Sequence, residues 1–353
     1  MAEAGDEIII RREGRAGRLT LDRPQALNAV TLAMIRAMRR TLDTWRNDPM
    51  VELVILDGAG SRALAAGGDL RSMFEARDDR DRLHRTFWRE EYELNALIAR
   101  YPKPYVAIMD GIVMGGGIGL SAHASHRIVT ERSHLAMPET AIGLITDVGG
   151  TWLLAQAPGE SGVYLGLTGA RMSAGDAIWA GFADYFVAGN SLADLITRLC
   201  DGGREALAAF TAVDRSAPEP SGLADRLEMI GRTFGFARIG DIFPALAEEP
   251  GDWARETLAG IKARSPLATV ATLTAIRNAR TLETLEQALE LEYRYVCRLF
   301  EGGEFIEGVR ALVIDKDKTP RWRPARFEDV SEEMIAALGA PLTEGQAFRA
   351  GGD

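Results

Sequence analysis

Apolar and polar positions along this chain follow two different periods. Ile8–Ile10, Arg18–Leu21, Val51–Asp57, Tyr105–Met109 and Arg127–Thr130 are short apolar or β-branched runs, and they predict strands. Thr31–Arg46 and the charged stretch Asp81–Arg100 predict helices between them. Such βα alternation predicts a sheet covered by helices. After about Gly189 the strand signals stop. Leu223–Ile230, Trp253–Arg264, Pro266–Arg280 and Leu282–Phe300 predict helices, the last with Leu282, Leu285, Leu289, Tyr293, Val296 and Phe300 at three- and four-residue steps and glutamates between. A boundary near 190 therefore separates a mixed α/β core, residues 1–190, from a helical C-terminal region, residues 191–353. The residues after Leu342 are expected to fray.

Composition narrows the function classes. The 353 residues are 46% hydrophobic and 26% charged, as in an ordinary globular protein. A net charge of −10 argues against a nucleic-acid surface. No apolar run reaches the length of a membrane span. The opening MAEAGDEIIIRREG has neither a secretory layout nor Arg/Ser-rich transit character, so a cytoplasmic protein is expected. The only cysteines, Cys200 and Cys297, are far apart and read as reduced thiols. His84, His123, His126 and His134 form no H-E-x-x-H pattern, so neither a metal nor a bound cofactor is expected.

The candidate chemistry sits in two glycine-rich loops and the stretch that follows the second. Gly115-Gly116-Gly117-Ile118-Gly119 follows the apolar run YVAIM, which invites a dinucleotide reading, with Glu131 ending the next strand. The spacing is inexact, however, and Gly111 interrupts the approach. A glycine-rich helix start also suits an oxyanion, because the first N–H groups of a helix have no intrahelical partner and glycine admits a ligand close to the main chain. A second donor is then needed, and ALAAGGDL (Ala63–Leu70) is a candidate, with Asp69 able to cap the following helix. Two carboxylates follow, Glu139 in MPETAIGL and Asp147 in ITDVGG. Spacing alone makes each as good a helix cap as a catalytic acid.

AAGGDL, MDGIVMGGGIGL and MPETAIGLITDVGG together resemble the crotonase (enoyl-CoA hydratase/isomerase) superfamily, and within it the 3-hydroxyisobutyryl-CoA hydrolase group. That narrower resemblance extends through FWREEYELN (Phe87–Asn95), LTGARMSAGDAIWAGFADYFV and Leu291–Ala325, almost the whole chain. It implies an α/β fold, a crotonase-like spiral of βββα turns with a helical C-terminal region, that binds an acyl-CoA thioester. CoA is then part of the substrate. The resemblance makes the N–H groups of Gly68 and Gly116 oxyanion donors and Glu139 and Asp147 the catalytic acids. Glu91, Gly67, Asp69 and Gly115 would line the substrate. It also implies homo-oligomers, trimers or pairs of trimers, which the C-terminal helices could alter.

Hydratases of this superfamily hold water between two glutamates, and the first of those positions is Gly119 here. A glycine neither gives nor takes a proton, which weighs against a plain hydratase, and the resemblance implies thioester hydrolysis of a short branched 3-hydroxyacyl-CoA, as in valine breakdown. A hydratase or isomerase using Asp147, and a CoA-binding protein without turnover, are the alternatives. No G-x-S-x-G elbow offers a serine nucleophile. The division of nucleophile and base between Glu139 and Asp147 stays open. RPQALNAV (Arg23–Val30) resembles the superfamily's loop beside the CoA nucleotide, and Glu75–Arg82 reads as a solvated charged segment.

Overall fold

The computed structural model describes residues 7–79, 82–212, 219–343 and 347–350. Six strands form the larger sheet: β1 (Ile8–Glu13), β2 (Ala16–Leu21), β3 (Leu53–Gly58), β5 (Tyr105–Met109), β7 (His126–Val129) and β9 (Tyr185–Phe186), in that spatial order. The hairpin β1–β2 is antiparallel, with Ile8 opposite Leu21, and every later pairing is parallel. A smaller sheet holds β4 (Ala63–Ala65), β6 (Ile112–Met114) and β8 (His134–Ala136), in that order. The chain thus passes three times from the large sheet to the small one, β3 to β4, β5 to β6 and β7 to β8. That repetition is the spiral.

Helix α1 (Leu32–Arg46) starts where Thr31 accepts from the Met34 N–H, an ordinary N-cap. The charged stretch predicted as a helix becomes α3 (Leu83–Ala99), and its first predicted residue, Asp81, lies outside the described residues, as does Arg80 of the charged segment. Past β9 the described elements are all helical, among them Leu192–Thr211, Asp252–Lys262, Pro266–Ala279 and Leu285–Glu301.

The chain forms two compact units, each assembled from separate segments. The first contains residues 1–68, 93–135 and 172–222. Its core packs Ala16, Leu53, Ile55, Val106, Ile108 and Ile128 of the large sheet against Leu192, Leu195, Leu199 and Leu207 of the long helix. The second contains residues 69–92, 136–171 and 223–353. There the stripe Leu285, Leu289, Tyr293, Val296 and Phe300 is buried as its spacing requires. Of the stretch expected to fray, residues 344–346 and 351–353 lie outside the described residues, and one described residue in it is packed. Phe348 is buried, its ring 6.0 Å from that of Tyr92 and 5.3 Å from that of Tyr293. Two aromatic neighbours favour burial of that ring over the entropy lost in ordering it.

Candidate active site

The two glycine loops leave adjacent parallel strands of the small sheet. β4 pairs with β6, Ala63 with Ile112 and Ala65 with Val113, so both chains emerge from the same carboxyl edge. Gly67 and Gly68 follow β4, and Gly115 and Gly116 follow β6 at the start of α4 (Gly116–Ser121). The carboxyl ends of parallel strands are where ligands of α/β folds are received. The loops abut: a Cβ on Gly117 would collide with the carbonyl oxygen of Ala65, so only glycine lets α4 approach β4 this closely. Gly115 takes φ 47° and ψ −120°, which a side chain would resist. The Gly68 loop is tied on its other side, where Val30 donates to the Gly67 carbonyl at 2.8 Å.

Among the described residues, neither the Gly68 nor the Gly116 N–H has a hydrogen-bond acceptor. Gly116 is buried, and a buried unpaired backbone N–H is rare and costs free energy. Such donors are what an incoming oxyanion requires. Asp69, expected beside the substrate, accepts from the Ser72 N–H at 3.1 Å and caps the helix α2 (Leu70–Glu75). Asn28 locks the RPQALNAV loop by donating to the carbonyls of Ala59 and Ala63.

The carboxylates belong to the second unit. Glu139 opens a short 3-10 turn, Glu139–Ile142, and the Ser265 N–H donates to the Thr140 carbonyl to hold that turn. Asp147 precedes α5 (Gly150–Gln156). Its side chain does not cap α5; Tyr92 donates to Oδ2 at 2.7 Å instead. Glu91, Glu139, Asp147 and Glu292 are all at least nine-tenths buried, at 2%, 4%, 4% and 0% exposure.

Their protonation follows from that burial. Burial pushes the Asp147 carboxyl up to about 7, against the opposing pull of the Tyr92 hydrogen bond and its own backbone. Glu139 is pushed well above the usual carboxylate range, first by burial and then by the charge of Asp147, while Arg264 works the other way. Glu91 rises for the same two reasons. These mutual effects mean that Glu91, Glu139 and Asp147 share one neighbourhood, which sequence spacing could not establish. Glu91 Oε1 and Glu139 Oε2 are buried without a hydrogen-bond partner among the described residues. Arg264 donates one amino group to the Thr168 carbonyl, and its Nε and Nη1 are likewise buried and unpartnered. A carboxyl titrating near neutrality is suited to proton transfer, and once ionised it is a stronger base than an exposed one. Among the described residues no group of histidines, cysteines and carboxylates is arranged to hold a metal ion.

Sequence reading passed over two residues here. Tyr92 lies in FWREEYELN beside Glu91, and only its partner reveals its part. Glu292 sits three residues after Leu289 and four before Val296, on the buried stripe of Leu285–Glu301. Its Oε2 accepts from the Gly149 N–H at 2.7 Å, and its Oε1 accepts from the Thr151 N–H at 3.0 Å and from the Thr151 hydroxyl. A glutamate at helical spacing among buried leucines was the available signal. Between Asp147 and Gly149, Val148 takes φ 54°, a conformation that costs a β-branched residue on the order of 1–3 kcal/mol.

Comparison with known proteins places this geometry among relatives. Residues 16–338 match the family model described as enoyl-CoA hydratase/isomerase. The mouse protein named 3-hydroxyisobutyryl-CoA hydrolase, mitochondrial, is 39% identical over 337 residues, 93% of this chain and 87% of its own length. Its human counterpart of the same name is 38% identical over 343 residues, 94% of this chain and 88% of its own. Among solved structures, one titled carnitinyl-CoA dehydratase from Mycobacterium thermoresistibile is 41% identical with a TM-score of 0.91, covering 98% of this chain and 99% of that one. Another, titled enoyl-CoA hydratase from Rhodobacter sphaeroides 2.4.1, is 44% identical with a TM-score of 0.90, covering 97% and 99%. The mitochondrial relatives overturn the cytoplasmic expectation. Compartment is set by address signals, and failing to recognise one in MAEAGDEIIIRREG does not assign a compartment.

Proposed function

Starting from a chain that belongs to the enoyl-CoA hydratase/isomerase family, we propose that it hydrolyses the thioester of 3-hydroxyisobutyryl-CoA, releasing 3-hydroxyisobutyrate and CoA in valine breakdown. The observation that carries this reading is the distribution of acids. Helix α4, GGIGLS, bears no carboxylate, and Gly119 stands where the family's hydratases place a glutamate. Glu139, Asp147 and Glu91 are buried acids that raise one another's proton affinity around Asp147. That set suits attack on an acyl carbon better than addition of water across a double bond.

The Gly68 and Gly116 N–H groups would receive the thioester oxygen as it gains charge; one such donor is worth about 2.7–4 kcal/mol in a well-studied enzyme. Ionised Glu139 then either attacks the carbonyl carbon or takes a proton from the water that attacks it. In the first case the C–S bond breaks, CoA leaves as the thiolate, and water opens the resulting anhydride to restore Glu139. In the second, water supplies the new oxygen directly. Asp147 would hold the 3-hydroxyl of the substrate or guide the water, and Glu91 would shape the acyl pocket. Gly67 and Gly115 would give the ligand room against the main chain.

The solved structures titled dehydratase and hydratase favour a second reading, water addition to an enoyl-CoA with Asp147 as the acid. The deciding experiment supplies 3-hydroxyisobutyryl-CoA to the purified protein without added cofactor and follows free thiol. One thiol per substrate consumed is expected. A protein that releases none, yet hydrates an enoyl-CoA, would overturn the hydrolase reading.

A further inference from the structure

Glu292 is the one buried acid of the group for which the proposed reaction has no task. It is fully buried on Leu285–Glu301, more than 140 residues away in sequence from the partners it holds. Those partners, the N–H groups of Gly149 and Thr151 and the Thr151 hydroxyl, are the donors at the start of α5. A helix start usually finds its acceptor in its own N-cap side chain. Here the N-cap is Gly149, which has none, and the acceptor comes from another helix.

The segment so gripped is unusual. Val148 at φ 54° and Gly149 at φ 76° are consecutive left-handed residues, and the Gly150 N–H donates back to the Asp147 carbonyl at 2.7 Å. Left-handed geometry is disfavoured for valine, so the turn persists only where its surroundings over-determine it. Asp147 is the residue immediately before that turn. Its carboxylate is fixed at one end by the Tyr92 hydroxyl and at the other by the backbone that Glu292 pins.

We propose that Glu292 is a positioning residue for Asp147, clamping the strained Val148–Gly149 turn so that the Asp147 carboxylate is presented in its reactive orientation. The proposal rests on the reading of Asp147 given above. Glu292 touches no substrate and acts through the turn. Burial pushes its carboxyl up to about 8, with Asp147 adding to the rise and the Thr151 and Gly149 donors opposing it. The Gly149 and Thr151 N–H groups donate to opposite oxygens of Glu292, and a carboxyl oxygen accepts whether or not it carries the proton, whereas glutamine would set its amide nitrogen against one of those donors.

The test compares the wild-type protein, E292Q and E292Q/V148G in three measurements: thiol release from 3-hydroxyisobutyryl-CoA, thermal unfolding, and amide exchange across residues 145–151. The expected E292Q protein is folded, with KM within about twofold of wild type, kcat down about tenfold or more, and faster exchange at Gly149 and Thr151. Glycine removes the penalty at position 148, so the double variant should regain about fivefold in kcat, a coupling that two independent losses would not show. A merely structural role predicts a different result: activity lost only in step with the unfolded fraction, and no recovery from V148G. That result, or an E292Q protein with wild-type kcat and exchange, would overturn the proposal. If the wild type releases no thiol while exchange responds to E292Q, the clamp stands and the reading of the reaction falls.

Discussion

The Tyr92 hydroxyl donates to Oδ2 of Asp147 at 2.7 Å, with both side chains buried. This hydrogen bond favours the ionised carboxylate and opposes the burial that lifts Asp147 to about 7. Removing it leaves only the backbone hydrogen bond to oppose burial. In Y92F the Asp147 carboxyl should therefore rise further, and the acid limb of the pH–rate profile should move upward by on the order of one pH unit. A profile that does not move would separate Asp147 from the limb.

The same burial sets the sign of a stability effect. Asp147 holds its proton to about 7 in the folded chain, against an ordinary value of 3.8. The stability gained from that proton is full below about 4 and is lost as pH rises through about 7. Asparagine cannot ionise and still accepts from Tyr92. The melting temperature of D147N should thus exceed that of wild type at pH 8 by on the order of 5 °C, and the difference should shrink toward pH 5. An advantage independent of pH would contradict the account.

Much of the framework was legible in the sequence, and the exceptions have physical causes. The runs VELVILD and YVAIM became β3 and β5, and the stripe ending at Phe300 became the helix Leu285–Glu301. The small sheet escaped because β4, β6 and β8 are three residues each, too short to show a period. Leu192–Thr211 was missed because Gly202-Gly203 interrupts it, Gly203 at φ 56°. Glu139 and Asp147 were visible as residues, but their shared neighbourhood was not, since it depends on burial. Glu292 looked like one more surface glutamate between leucines.

Gly116 and Gly117 make opposite predictions side by side. A side chain at Gly116 would stand where the proposed ligand approaches the N–H, so G116V should lose more than about 100-fold in kcat. G117A instead drives a methyl into the Ala65 carbonyl, and should destabilise the fold by about 1–3 kcal/mol. Thermal unfolding and thiol release, measured on both, separate the two effects. An active G116V protein would remove the oxyanion role.

Glu139 carries the chemistry in this account. E139Q should release CoA at less than about a thousandth of the wild-type rate, because the amide neither attacks nor takes a proton. Near-normal release by E139Q would reassign the acid.

The central claim is that acids gathered around Asp147, with none on α4, make this a hydrolase. One side-by-side assay addresses it most directly: thiol release from 3-hydroxyisobutyryl-CoA against loss of enoyl absorbance from crotonyl-CoA, on the same purified protein. The account predicts rapid thiol release and little hydration. Rapid hydration without thiol release would contradict it and make Asp147 the acid of a hydratase.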